Sequence, residues 1–78
     1  MTTPEELAAC VGVRLAKARR QRGMTQRQMA DALGMSLSHV TQVERGAKSP
    51  SLDVLARWAA ACRVTLAEVF RDIESDMG

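Results

Sequence analysis

The sequence is 78 residues long, 46% hydrophobic and 26% charged, with a formal net charge of +2, which describes one small globular domain over 1–78 rather than a disordered segment. Phe70 and Trp58 are its only aromatic residues and tyrosine is absent. That argues against a sheet-rich fold and against single-strand nucleic-acid binding by stacked rings. No apolar stretch approaches the ~20 residues of a membrane span and no basic-then-apolar leader opens the chain, so the expected location is the cytoplasm. Cys10 and Cys62 fit no zinc or thioredoxin spacing and read as reduced, small apolar residues.

The small net charge hides an uneven distribution. Residues 14–48 hold Arg14, Lys17, Arg19, Arg20, Arg22, Arg27, Arg45 and Lys48 against Asp31 and Glu44, a balance of +6. The remainder holds three arginines against seven carboxylates, a balance of −4. A basic middle flanked by acidic ends is expected of a molecule that turns one face toward a polyanion.

The helix boundaries are legible as local chemistry. Thr3-Pro4-Glu5-Glu6 combines an N-cap residue, a proline at the first helical position and a glutamate three residues after the cap. The helix it opens carries Leu7, Val11, Leu15 and Ala18 at helical spacing and ends near Gly23. Thr25-Gln26-Arg27-Gln28 is a capping box for a short helix through Leu33, stopped by Gly34. Ser36 caps a third helix that ends at Gly46. Ala47 to Ser49 form a loop, Pro50 suits a helix start, and either Ser49 or Ser51 caps a fourth helix carrying Leu52, Leu55, Ala59 and Cys62. Thr65-Leu66-Ala67-Glu68 is another capping box, for a last helix at about 65–74 with Leu66, Val69, Phe70 and Ile73. Ser75 to Gly78 are expected to fray. The chain therefore reads as all-α, a compact five-helix bundle.

Helices two and three, at about 25–45, carry the functional signal. Gly34-Met35 is too short a link to let them lie antiparallel, and two short helices crossing over a tight glycine-containing turn form the DNA-binding helix-turn-helix arrangement. At about 100° per residue, Val43, Ser36, Glu44 and Leu37 fall near Val40 on the third helix. Ser38, Thr41, Gln42 and Arg45 fall on the opposite, polar side. The wheel thus turns Glu44 toward the bundle, away from phosphate. The methionines Met24, Met29 and Met35 are spaced as core and turn packing, and Trp58 is expected where helix four meets solvent or a partner. His39 has no second ligand at metal spacing and reads as a surface residue or phosphate contact. Lys17, Arg20 and Arg22 read as an exposed charged face.

One ordered pattern runs through Val11-Gly12, Arg14-Leu15, Ala18-Arg19 and Arg22-Gly23-Met24-Thr25, then Gln26, Met29-Ala30 and Leu33-Gly34-Met35-Ser36. It continues with Val40, Val43-Glu44-Arg45-Gly46, Pro50-Ser51, Leu55, Ala59 and Val64. Over about residues 11–70 this resembles the phage repressor/Cro (xenobiotic-response-element) helix-turn-helix family, including small members such as restriction–modification controller proteins. The resemblance implies a lambda-repressor-like domain that binds double-stranded operator DNA, usually as a homodimer, and regulates transcription. It puts Leu37, Ser38 and Gln42 where family members contact bases, with Thr41 beside them, and Gln26 where they contact phosphate. Gln42 suits adenine N6 and N7, and Leu37 suits a thymine methyl. Arg45 and Lys48, and more weakly Arg27, are further phosphate candidates. The family pattern also pairs Glu44 with Arg19, which is expected to lie near a phosphate as well. Phe70 and Ile73 extend the last apolar stripe toward a dimer interface.

No catalytic set emerges: there is no Ser/Cys–His–Asp constellation, glycine-rich phosphate loop or paired carboxylates, and no cofactor is expected. RNA polymerase is a candidate further partner. The alternative is an antitoxin-type protein-interaction module with secondary DNA binding, which needs toxin-contacting surface beyond the DNA-binding unit.

Overall fold

The computed structural model describes residues 2–71, which form helices α1 (Pro4–Gln21), α2 (Gln26–Leu33), α3 (Leu37–Glu44), α4 (Leu52–Cys62) and α5 (Leu66–Val69). Each begins on a serine or threonine whose hydroxyl accepts a backbone N–H from the first turn. Thr3 receives that of Glu6, Thr25 of Gln28, Ser36 of His39, Ser51 of Val54 and Thr65 of Glu68. At Thr25 and Thr65 the third helical residue, Gln28 or Glu68, returns the bond to the cap's own N–H. These caps satisfy donors that have no partner inside the helix.

The structure resolves the open choice at α4 in favour of Ser51, so Pro50 precedes the cap instead of starting the helix. α4 ends on Arg63 with φ 60°, a left-handed conformation that glycine adopts more easily. α5 is shorter than its apolar stripe implies. Its cap is Phe70 at φ −105°, and Ile73 lies outside the described residues.

The core gathers one face from every helix. Leu15 of α1, Met29 of α2, Val40 and Val43 of α3 and Trp58 of α4 are fully buried, and Val69 of α5 closes one side. Trp58 is a correction to the sequence reading, because it sits at the centre of the bundle and not at its boundary. Its indole Nε1 donates to the Leu15 carbonyl at 3.1 Å, which gives the one polar atom of a large apolar ring a partner. Leu7 and Leu52, placed on apolar helix faces, are instead 47% and 81% exposed. Both lie near the start of their helices, ahead of the point where those helices reach the core.

α1 packs against α3, α4 and α5, and α2 packs against α3 and α4. The α1–α3 approach is close enough to require glycine. A Cβ on Gly12 would stand 2.5 Å from the Glu44 carbonyl oxygen and 2.6 Å from that of Val43. Gly46 meets α1 from the other side: a Cβ there would lie 2.7 Å from the Ala9 Cα, and its φ of +78° is itself a glycine conformation. The end of α3 is thus seated directly on the α1 backbone.

Arg57 locks α2 to α4. Its two terminal nitrogens donate to the Leu33 carbonyl at 3.0 and 2.8 Å, at the C-terminus of α2, while Asp53 one turn earlier pairs with its Nε at 3.2 Å. Cys62 is buried, and burial pushes its thiol above the usual value, which keeps it protonated and unreactive near neutral pH.

Two outcomes follow from these contacts. Gly12→Ala should destabilise the fold by about 1–3 kcal/mol, because the added methyl meets backbone that has little room to move. Urea denaturation followed by Trp58 fluorescence measures it. Bonds from the Thr65 backbone N–H, then from its hydroxyl, hold the Glu68 carboxyl below its usual value. Its stabilising contribution is therefore present above the ordinary glutamate value of about 4.3 and is lost as pH falls through the lower folded-state value. Glu68→Gln should flatten that acid limb, as seen in thermal melts taken across pH 3–6.

Candidate nucleic-acid interface

The link between α2 and α3 is three residues, Gly34 to Ser36. Gly34 caps α2 in the left-handed region at φ 66°, and the Met35 N–H returns to the Ala30 carbonyl at 2.9 Å. Ser36 then starts α3 at once. A chain that reverses this tightly cannot lay two eight-residue helices side by side, so they cross. α3 buries Val40 and Val43 against the core and leaves Ser38, Gln42 and Arg45 exposed on its outer side. Leu37, His39 and Thr41 are half-buried between the two faces.

The inner edge of α3 is held by a buried ion pair. Arg19 Nε donates to Glu44 Oε2 at 2.7 Å and Nη2 to Oε1 at 3.1 Å, with the two side chains 8% and 5% exposed. The same guanidinium donates from Nη1 to the Met24 carbonyl at 2.8 Å. Gln26, at the start of α2, donates from Nε2 to Glu44 Oε1 at 2.9 Å. Four groups therefore converge where α1, α2 and α3 meet. A carboxylate taken this far out of water is stable only with such multiple donors, and two parallel N–H bonds also fix its orientation. Three of the Arg19 guanidinium nitrogens are thus engaged with Glu44 and the Met24 carbonyl.

Of the four residues placed at bases, Ser38 and Gln42 share the exposed face, and Gln42 Nε2 donates to Ser38 Oγ at 3.3 Å. Thr41 is turned partly inward: its hydroxyl lies 3.0 Å from the Leu37 carbonyl and 3.4 Å from Gln26 Oε1. Leu37 keeps a half-buried side chain at the first position of the helix. Of the residues placed at phosphates, Arg27, Arg45 and Lys48 are exposed. Gln26 is half-buried, its amide shared between Glu44 and Thr41. Phe70 is half-buried and packs against the core.

Sequence reasoning missed three supports of this site. They are the Gln26–Glu44 bond, the Arg57 clamp on α2 and the close seat of Gly12 under the end of α3. Only Arg57 left a local sign, the i,i+4 spacing to Asp53.

Glu44→Ala should leave a buried guanidinium without its counter-charge and destabilise the fold by about 3–5 kcal/mol. Joint replacement by apolar residues, Arg19→Met with Glu44→Leu, should recover most of that loss. Urea titration of both variants checks it, and a Glu44→Ala protein as stable as the parent would show the pair to be dispensable.

The HTH_3 helix-turn-helix family matches residues 15–69. The chain is 36% identical over 62 residues to the transcriptional regulator ClgR of Mycobacterium tuberculosis, covering 80% of this chain and 55% of that protein's length. Among solved structures, the clp gene regulator ClgR of Corynebacterium glutamicum superposes with a TM-score of 0.85 at 30% identity, over 91% of this chain and 76% of that one. The restriction-modification controller protein C.AhdI of Aeromonas hydrophila superposes with a TM-score of 0.75 at 32% identity, over 81% of this chain and 96% of that one. The chain belongs to the HTH_3 (Cro/C1-type) family of helix-turn-helix DNA-binding domains.

Proposed function

We propose that this protein is a transcriptional regulator that binds a near-palindromic operator in double-stranded DNA as a homodimer and acts by occupying it. The observation that carries the reading is the division of α3: Val40, Val43 and the Glu44 carboxylate anchor one side, while Ser38, Gln42 and Arg45 stand exposed on the other. A helix held rigidly along one edge with short and medium polar side chains on the other suits entry into a major groove. Gln42 and Ser38 read base edges there, with Leu37 offering apolar contact to a thymine methyl and Thr41 lying beside them. Arg45 and Lys48, at and after the end of α3, hold the backbone together with Arg27 and the α2 start at Gln26.

We assign the dimer contact to Phe70 and Ile73, which extend the last apolar stripe of the sequence, Ile73 lying outside the described residues. Two-fold symmetry would set the two α3 helices about 34 Å apart, one turn of DNA. The relatives are named as regulators, of clp genes in one case and as a restriction–modification controller in another. The regulatory role, and no particular regulated gene, carries over to this chain. Its site of action is the cytoplasm. Among the described residues, no helix is long and apolar enough to cross a membrane.

Selection from randomised duplexes should return a palindromic consensus, and binding should weaken steeply with salt. Arg45→Ala should lower affinity for every sequence and reduce the salt slope by about one per protomer. Gln42→Ala should instead relax preference at one base pair per half-site, by about 1–3 kcal/mol. Equal loss on all sequences for both variants would refute these roles. Sedimentation equilibrium at micromolar concentration should show dimer, and monomer alone would refute the symmetric mode.

A further inference from the structure

We infer that Ser38 is a specificity-determining residue that acts through Gln42, restricting it to adenine by removing the protons it needs to read guanine. The inference rests on the reading of α3 as the base-contacting helix and concerns which base that helix accepts.

An unrestrained glutamine has two amide protons and one carbonyl. In the major groove it can serve adenine with one N–H to N7 while its carbonyl accepts from N6. It can also serve guanine with both N–H groups, because guanine N7 and O6 are both acceptors. A glutamine alone on a helix therefore separates these two purines poorly. In this structure the Gln42 amide is not unrestrained. Its Nε2 donates to Ser38 Oγ at 3.3 Å, across one helical turn on the same exposed face. One amide proton is engaged, and one N–H and the carbonyl remain for the groove. That pair matches adenine N7 and N6. Against guanine, the carbonyl oxygen would confront O6, acceptor against acceptor.

One further observation bears on the couple. The hydroxyl of Thr41, a polar neighbour of Gln42 on the helix, is directed to the Leu37 carbonyl at 3.0 Å and to Gln26 at 3.4 Å. It therefore faces away from the couple and does not compete for Ser38. The Ser38 hydroxyl accepts from Gln42, so its own proton is left to donate to the neighbouring base pair. The couple thus presents two donors and one acceptor. It selects adenine opposite Gln42, and a major-groove acceptor such as thymine O4 or a purine N7 opposite Ser38.

The test measures binding of the full chain to duplexes that differ only at the base pair where Gln42→Ala loses preference. The parent should favour adenine over guanine there by about tenfold or more. Ser38→Ala should reduce that ratio by about tenfold, and it should do so mainly by strengthening binding to the guanine duplex. A gain of that kind is something damage to the fold does not produce. Ser38→Thr, which keeps the hydroxyl, should restore the parent ratio. Circular dichroism melts should be unchanged, because Ser38 is exposed. If Ser38→Ala keeps the full adenine preference while Gln42→Ala abolishes it, the inference is overturned and the base-reading role of Gln42 stands. If Gln42→Ala alters preference at no base pair, the base-reading role itself falls and takes the inference with it.

Discussion

The buried pair between Arg19 and Glu44 is the contact on which the geometry of the interface depends. It reaches across 25 residues; Arg19 also holds the Met24 carbonyl and Glu44 also accepts from Gln26, so the pair ties the end of α1, the start of α2 and the last turn of α3 together. An ion pair of this burial adds little net stability over an apolar substitute, because removing two charges from water offsets most of their attraction. What it supplies is orientation. Two parallel bonds at 2.7 and 3.1 Å tolerate little rotation of α3 about its axis, and that rotation decides which side chains face outward.

α3 needs such support because it cannot stand alone. A helix of eight residues is far below the length at which helices persist in water, so its conformation comes from its caps and from what it packs on. Val40 and Val43 seat it on the core, Ser36 closes its N-terminus, and the α1 backbone at Gly12 and Ala9 lies directly beneath its C-terminal turn. The outer face is correspondingly free of structural duty. Ser38, Gln42 and Arg45 are exposed and take no part in the core. The hydrogen bond between Ser38 and Gln42 shows that such residues still shape one another when they lie one turn apart.

The helix starts were readable because a cap is a transaction between residues three apart. A threonine or serine followed by glutamate or glutamine three residues on can be recognised with no knowledge of the fold, and the caps of that pattern at Thr3, Thr25 and Thr65 all formed, as did the plain serine cap at Ser36. The two-sided character of α3 was readable for a similar reason, since a helical wheel depends only on spacing. Trp58 was misplaced because an indole has an apolar body and one donor, and nothing local says whether that donor meets water or protein. Its partner, the Leu15 carbonyl, is 43 residues away. The clamp made by Arg57 is illegible in the sequence for the same reason, as the Leu33 carbonyl it holds lies 24 residues back.

The sequence by itself therefore determined the all-helical class, the five helix starts apart from the choice between Ser49 and Ser51, and the polar stripe of α3. Each of these rests on interactions within about one helical turn. Tertiary structure decided where Trp58 lies, why position 12 admits no side chain, how Gln26 is shared between Glu44 and Thr41, and how far Thr41 turns from the outer face. These depend on groups brought together from distant parts of the chain. Hydrogen bonds at about 3 Å, and an approach of α3 to α1 too close to admit a Cβ at position 12, exist only after the helices have docked, and no periodicity along one segment encodes them.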